Sequence, residues 1–262
     1  MKENSEARGF NRDRLQRIDA ALQADVDARK IPGAAVLIAR RGEIAYWKAF
    51  GFRDREANVT MERNDIFRIA SMTKPITSVA LMMLAERGAV LLPDPVAKYL
   101  PEFAETKVGV EDNAGAGNQT LRLVPQVRPI TIQDLLRHTA GFTYGFFGSS
   151  LIKTAYNEAG VFDLRNTNQE MTHKLAALPL VHQPGEVWDY GMSTDVVGRL
   201  VEVVSGKSLG EFFTEYIFAP LGMDETGFVL GPDKASRMAQ PQVDLKSGAR
   251  VPMTDHTVDW PW

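Results

Sequence analysis

Residues 67–88, FRIASMTKPITSVALMMLAERG, contain the features that decide the fold. Pro75 lacks a backbone N–H and clashes with the carbonyl four residues before it, so a helix accepts it only in the first turn. Apolar residues then recur at helical spacing until Gly88, which can end the helix. We therefore predict a helix from about Ser71, with Lys74 one turn on and on the same face. The apolar face of this helix comprises Ile76, Val79, Ala80, Met83 and Leu84.

The chain before this helix has the pattern of a helix followed by a hairpin. Asn11 can cap a helix that ends before Pro32, and two runs rich in β-forming residues flank Arg41 and Gly42. Further along the chain, Thr131 and Asp134 have the spacing of a capping box, and the helix they begin is expected to end at Gly141. We interpret residues 107–129 as a loop. Helical patterns follow at 168–178, 194–205 and 208–218.

Composition excludes several classes of protein. The chain has 262 residues, no cysteine, and 30 basic against 33 acidic residues, which gives a net charge of −3. Disulfides and thiolate metal sites are therefore excluded, and we expect neither a nucleic-acid nor a membrane partner. The N-terminal residues contain no apolar signal region, and no apolar run is long enough to span a bilayer. We expect a cytoplasmic protein.

Three serine motifs are candidates for a nucleophile, and none is specific by itself. Ser71 with Lys74 begins a helix, whereas Ser150 with Lys153 has the same spacing without an apolar helix start. Ser208 satisfies Gly-x-Ser-x-Gly, but a helical pattern precedes it where a nucleophile elbow needs a strand. We interpret Ser208 as the cap of the next helix.

The histidines give no support for a metal site. They do not have ligand spacing, and we expect a core or surface role for each. No glycine-rich phosphate loop is present either, so we predict no cofactor. The four histidines are His138, His173, His182 and His256.

Four segments together resemble a known family. The sequence of residues 67–88 is similar, nearly letter for letter, to the active-site helix of the family VIII carboxylesterases, which are related to class C β-lactamases and penicillin-binding proteins. LLRHTAGF, PGEVWDYGMSTDVVGRLVEVVSG and IFAPLGMDETGF resemble later landmarks of the family, in the same order. The resemblance covers roughly residues 15–260. It implies an α+β fold with an antiparallel sheet flanked by helices and a mostly helical domain.

The resemblance assigns Ser71 as the nucleophile, Lys74 as its helix partner and Tyr190 as the tyrosine of the second motif. The lactamases have Tyr-x-Asn there, whereas Met192 occupies the third place in this chain. The missing amide favours ester substrates over β-lactams. Neither lysine nor tyrosine alone is a base at neutral pH, but a partly buried pair can accept the serine proton. We expect cleavage of short-chain carboxylic esters through an acyl-enzyme. The alternatives are β-lactam or D-Ala-D-Ala chemistry, and a remnant that only binds ligands.

The family's third landmark is a Lys/His/Trp-x-Gly triplet, which we do not assign in this chain. Lys246, Ser247 and Gly248 match the residue types of this triplet, but we interpret them as a polar turn because too little chain follows. We expect an incomplete family member in which the C-terminal return to the sheet is absent. A C-terminal fragment or a second chain would then complete the sheet. The expected domains are residues 1–92, the N-terminal part of an α/β domain, and 93–262, mostly helical.

Overall fold

The computed structural model of the protein describes residues 9–113 and 119–241, which form two compact units. The first unit contains the described residues up to 69 together with 229–241, and the second contains those from 70 to 228. Helices and antiparallel strands are both present, which confirms the predicted α+β class. The domains expected from the sequence, residues 1–92 and 93–262, stay a prediction.

Helix α1 (Arg12–Asp27) begins the first unit. The side chain of Asn11 accepts a hydrogen bond from the backbone N–H of Arg14 at 2.9 Å, which caps the helix as predicted. Leu15 and Val26 are its buried residues. The helix packs against the strand Glu43–Asp54 in the same unit.

The sheet of the first unit is antiparallel, in the order β1 (Gly33–Arg40), β2 (Glu43–Asp54) and β3 (Val59–Thr60). Arg41 and Gly42 connect β1 to β2 with φ angles of 54° and 76°. Two successive left-handed residues are typical of the tight hairpin turns that match strand twist. The predicted hairpin is therefore confirmed.

The chain returns to the first unit after residue 228. Helix α9 (Pro232–Ala235) lies in this segment. Ile66 donates its backbone N–H to Arg237 and accepts one from Ala239, each at 2.8 Å. These two bonds tie the returning segment to the residues just before the active-site helix.

Helix α6 is the centre of the second unit: α2, α3, α5 and α7 pack against it. Helix α2 buries Thr77, Ala80, Leu81 and Leu84. Val79, assigned to the apolar face from the sequence, is instead 50% exposed. The helices are α2 (Thr73–Glu86), α3 (Ile132–Arg137), α4 (Leu151–Glu158), α5 (Asn168–Ala176), α6 (Ser193–Ser205), α7 (Leu209–Phe213), a π-helical turn (Thr214–Phe218) and α8 (Ala219–Leu221).

Part of the predicted loop at 107–129 is a hairpin of β4 (Val108–Asn113) and β5 (Gln119–Val124). Gly109 donates its backbone N–H to the carbonyl of Leu180, and Leu180 donates its own to the carbonyl of Lys107, each at 2.8 Å, so the β4 strand also pairs with a distant segment. Long-range pairing of this kind leaves little signal in the local sequence. Helix α3 ends at Arg137, before the expected stop at Gly141, because the next residue, His138, has a left-handed backbone conformation.

Membrane-spanning helices are not found in the described part of the chain. None of its helices combines the length and the hydropathy that crossing a bilayer requires. The cytoplasmic location stays a prediction from the sequence.

Candidate active site

Ser71 lies in a short 3₁₀ turn, Ala70–Met72, that leads directly into α2. An α-helical hydrogen bond to the carbonyl of Ser71 would need the N–H of residue 75, and Pro75 has none. The chain tightens into a 3₁₀ turn instead, and the α-helix begins at Thr73, two residues after the predicted start. Ala70 has a φ of 42°, in the region where a side chain strains the backbone.

The three predicted catalytic residues lie together. Tyr190 donates its hydroxyl hydrogen bond to the Oγ of Ser71 at 2.8 Å, and the Nζ of Lys74 lies 3.4 Å from the same oxygen. Tyr190 is separated from Ser71 by 119 positions in the chain. The Tyr190 hydroxyl and the Lys74 amine therefore reach the serine oxygen from different elements of the second unit.

Burial and the charge of Lys74 act on Tyr190 in opposite directions. Its Nζ lies 4.8 Å from the centre of the Tyr190 ring. Burial opposes ionisation of the phenol, but hydrogen bonds with Lys74 and Ser71, together with the lysine charge, hold the pKa of Tyr190 below its ordinary value. The phenol of Tyr190 therefore ionises more readily than that of an ordinary tyrosine.

His138 holds the loop that carries Tyr190, a role that the sequence interpretation did not include. Its carbonyl accepts the N–H of Asp189 at 2.9 Å, and its Nδ1 accepts the N–H of Gly191 at 3.4 Å. Its ring lies 5.0 Å from the ring of Tyr190. Burial and the charge of Lys74 lower the pKa of His138, although Asp189 opposes them, which favours the neutral ring that can accept at Nδ1.

Gly191 is required at its position because the backbone approaches closely. A Cβ there would lie 2.5 Å from the Cα of Thr143 and 2.7 Å from the carbonyl oxygen of Phe142. The segment LLRHTAGF, noted in the sequence as a family landmark, therefore packs directly against the tyrosine loop. That landmark was the available signal for the role of His138.

Asp195 is a second residue that the sequence interpretation missed. It lies in the first turn of α6 and lines the same cavity as Ser71 and Lys74. Tyr144 approaches its carboxylate at 3.4 Å. Burial raises the pKa of Asp195 to about 6, although the charge of Lys74 and the Tyr144 hydrogen bond oppose the rise. A titratable group next to the lysine can influence the whole site.

The reactive groups open into a cavity of 380 Å³, within the size range of small-molecule sites. Nine of its sixteen lining residues are aromatic, aliphatic or glycine, and the other seven are polar or charged. Within residues 9–113 and 119–241, no group of three His, Asp or Glu side chains could hold a metal ion. The lining residues are Ala70, Ser71, Thr73, Lys74, Thr77, Tyr144, Phe146, Phe147, Phe162, Asn168, Tyr190, Thr194, Asp195, Gly198, Leu209 and Phe228.

The other serine candidates cap helices. Ser208 accepts from the N–H of Glu211, in a capping box that begins α7, as the sequence predicts. Ser150 accepts from the N–H of Lys153 and begins α4, a helix that the sequence interpretation did not include. Both hydroxyl groups therefore have structural partners at helix ends.

Comparison with known proteins decides the family. The family model described as Beta-lactamase matches residues 18–255. The chain belongs to the β-lactamase family. The resemblance found in the sequence is thereby confirmed.

Relatives in the β-lactamase family include proteins named as esterases and acyl-transfer enzymes. Esterase EstB from Burkholderia gladioli is 33% identical over 250 residues, which are 91% of this chain and 59% of that protein. The structure of EstCE1, a hydrolase with promiscuous acyltransferase activity, is 30% identical, with a TM-score of 0.77 over 92% of this chain and 59% of that one. Simvastatin synthase (LovD) from Aspergillus terreus is 32% identical, with a TM-score of 0.74 over 92% of this chain and 60% of that one.

The chain thus spans a little more than half the length of these relatives. Their structures support the predicted β-lactamase-like fold class. The candidate third landmark, Lys246, Ser247 and Gly248, lies outside the described residues, as does His256. The expected completion of the sheet by another chain or fragment stays a prediction.

Proposed function

We propose that the protein is a serine hydrolase that cleaves short-chain carboxylic esters through an acyl-enzyme on Ser71. The observation that carries this proposal is the convergence of Tyr190 and Lys74 on one serine oxygen, at 2.8 and 3.4 Å. The names of EstB and EstCE1 give independent support for ester chemistry in the β-lactamase family.

In the proposed mechanism, the Tyr190–Lys74 pair accepts the proton of Ser71 as its Oγ attacks the ester carbonyl. The proton belongs to the pair rather than to either residue. It then passes to the departing alcohol, and the acyl group stays on Ser71. Water then gives a proton to the same pair and attacks the acyl carbon; the bond to Ser71 Oγ breaks, the carboxylic acid leaves, and the pair returns the proton to the serine oxygen.

Stabilisation of the oxyanion is assigned to the helix start. The first backbone N–H groups of a helix have no partner within it, and the helix dipole favours negative charge at that end. We assign the N–H of Ser71 as one donor to the developing oxyanion.

The surroundings of Met192 favour esters over β-lactams. The side chain is 2% exposed, so the third place of the second motif presents no polar group to the cavity. An amide at that position could hydrogen-bond the side chain of a β-lactam, and its loss removes a specific contact with that substrate class.

A labelling experiment with two parallel assays tests this proposal. We expect a fluorophosphonate to label Ser71, identified by peptide mapping, and the protein to hydrolyse nitrophenyl butyrate faster than a chromogenic cephalosporin. Ser71→Ala should abolish both labelling and hydrolysis, whereas Ser78→Ala, in α2 and seven residues after Ser71, should retain them. Faster cephalosporin hydrolysis would favour β-lactam chemistry. A folded protein that resists labelling would favour the ligand-binding alternative.

A further inference from the structure

The cavity beside Ser71 has one wall made of aromatic rings. Tyr144 and Phe146 stack with ring centroids 5.0 Å apart, and Phe146 lies 4.6 Å from Phe147 and 5.1 Å from Phe162. All four side chains line the cavity. These four side chains are called the aromatic wall.

We propose that the aromatic wall is a substrate subsite for a ring. The preferred substrates are then esters that carry an aromatic or alicyclic ring on a short linker, on either the acyl or the alcohol side. This inference rests on the ester hydrolysis proposed above and narrows its substrate class.

The exposure of the wall distinguishes it from the hydrophobic core. Phe146, Phe147 and Phe162 are 51%, 50% and 51% exposed. Phe142, a few residues earlier in the same segment, is fully buried and contacts Phe103 at 5.6 Å. Of the three phenylalanines in this segment, Phe142 is therefore part of the core of the second unit, whereas Phe146 and Phe147 line the cavity. Apolar surface gathered around one cavity favours burial against an apolar ligand.

Helix α4 holds the wall in position. Asn157 donates its side-chain amide to the carbonyl of Gly145 at 3.0 Å, and the Nζ of Lys153 donates to the carbonyl of Phe147. Gly145 has no room for a side chain, because a Cβ would lie 2.2 Å from the Oδ1 of Asn157. The rings are therefore placed before a ligand arrives, which reduces the entropic cost of binding.

The size and chemistry of the cavity favour a ring over a linear chain. A cavity of about 150 Å³ suffices for benzene, so 380 Å³ accommodates a ring together with the ester and a short linker. Rings gain edge-to-face contacts with other rings beyond the burial of area, whereas a linear chain loses more rotational freedom on binding. The three phenylalanine rings of the wall carry no polar group, although Asn168, Thr194 and Asp195 are among the other residues that line the cavity.

Two matched pairs of esters test the subsite, with acid release measured by pH-stat titration. The acyl pair is ethyl phenylacetate against ethyl pentanoate, and the alcohol pair is benzyl acetate against pentyl acetate. We expect kcat/KM to favour the ring ester by about tenfold in at least one pair, which also shows the side that carries the ring. Ratios near one in both pairs would overturn the proposal.

Substitutions in the aromatic wall test whether it causes the preference for ring esters. Phe147→Leu and Phe162→Leu should each lower the ring-to-alkyl ratio of kcat/KM by about threefold or more, because the ring ester loses more of its contacts than the alkyl ester does. Lys153→Met removes the hydrogen bond that Lys153 donates to the carbonyl of Phe147, so the ring-to-alkyl ratio should fall in this variant as well. Phe67→Leu is the matched control, because Phe67 is 40% exposed and does not line the cavity. An unchanged ratio in both cavity variants would overturn the subsite.

Failure of the proposed hydrolysis is distinguishable from failure of the subsite. If Ser71 is not labelled and no ester is cleaved, binding is measured by saturation-transfer NMR with phenylacetamide and pentanamide, which need no catalysis. Preferential binding of phenylacetamide that Phe147→Leu removes would support the subsite. Equal binding of the two amides, or a preference that survives Phe147→Leu, would overturn it.

Discussion

The hydroxyl of Tyr190 contacts the serine oxygen at 2.8 Å, and its loss tests the proposed base directly. Tyr190→Phe keeps the ring and removes the proton acceptor, so we expect kcat/KM for nitrophenyl butyrate to fall by about 10²–10⁴-fold with an unchanged thermal midpoint. Tyr99→Phe is the matched control, because its hydroxyl contacts Asp94 at 2.6 Å outside the cavity. A Tyr190→Phe protein that retains about half of the activity would contradict the proposed role.

Asp195 should set the pH at which the site works. Its negative charge raises the pKa of Tyr190, opposing the lowering by Lys74. Asp195→Asn removes that charge, so the phenol should ionise at lower pH. This change moves the acidic limb of the pH profile of kcat/KM toward lower pH. The measurement is the profile of the variant beside that of the wild type, and a shift toward alkaline pH would contradict this electrostatic role.

At the level of secondary structure, local chemistry made some elements predictable and left others hidden. Asn11, Thr131 and Ser208 each begin a helix as predicted, because a capping side chain and its partner are three residues apart. The β4–β5 hairpin and helix α4 were missed. Part of the hairpin's pairing is with Leu180, which is distant in sequence, and the eight residues of α4 give a weak periodic signal.

The start of α3 depends on one buried carboxylate. Asp134 accepts hydrogen bonds from Arg128 at 2.6 and 2.9 Å, from the backbone N–H and hydroxyl of Thr131, and from the hydroxyl of Thr139. Burial opposes the charge, but these bonds lower the pKa of Asp134 to about 2. Because this value is below the unfolded one, the stabilisation is present above about pH 4 and is lost as the pH falls toward 2.

Asp134→Asn should therefore destabilise the protein in a pH-dependent way. We expect the free energy of unfolding to fall by about 2 kcal/mol at pH 7, with a smaller difference at pH 3, as measured by urea denaturation. The matched control is Asp163→Asn, because Asp163 pairs with Arg165, whose side chain is 80% exposed. That variant should change stability much less. If the two substitutions lowered the free energy of unfolding equally, the burial of Asp134 would not be the cause of its contribution to stability.

For the whole molecule, the sequence predicted three residues that the fold brings together, but not the residues around them. The proximity of Tyr190 to Ser71 came from the family resemblance, because no local pattern relates residues 119 positions apart. His138 and Asp195 were missed since their roles come from packing: the first contacts a backbone loop, and the second becomes titratable near pH 6 only through burial. Roles that depend on tertiary contacts leave little trace in a single sequence.

The two compact units should differ in stability. The buried cluster of the second unit extends from Ala80 to Phe218, whereas few buried apolar residues support the first. Opening of a region costs less when it buries less apolar surface. Hydrogen exchange followed by mass spectrometry in increasing urea should therefore show β1 and β2 exchanging at lower urea than α2 and α6. Simultaneous loss of protection in all four elements would instead show one cooperative unit, and earlier exchange of α2 would contradict the assignment of the main core to the second unit.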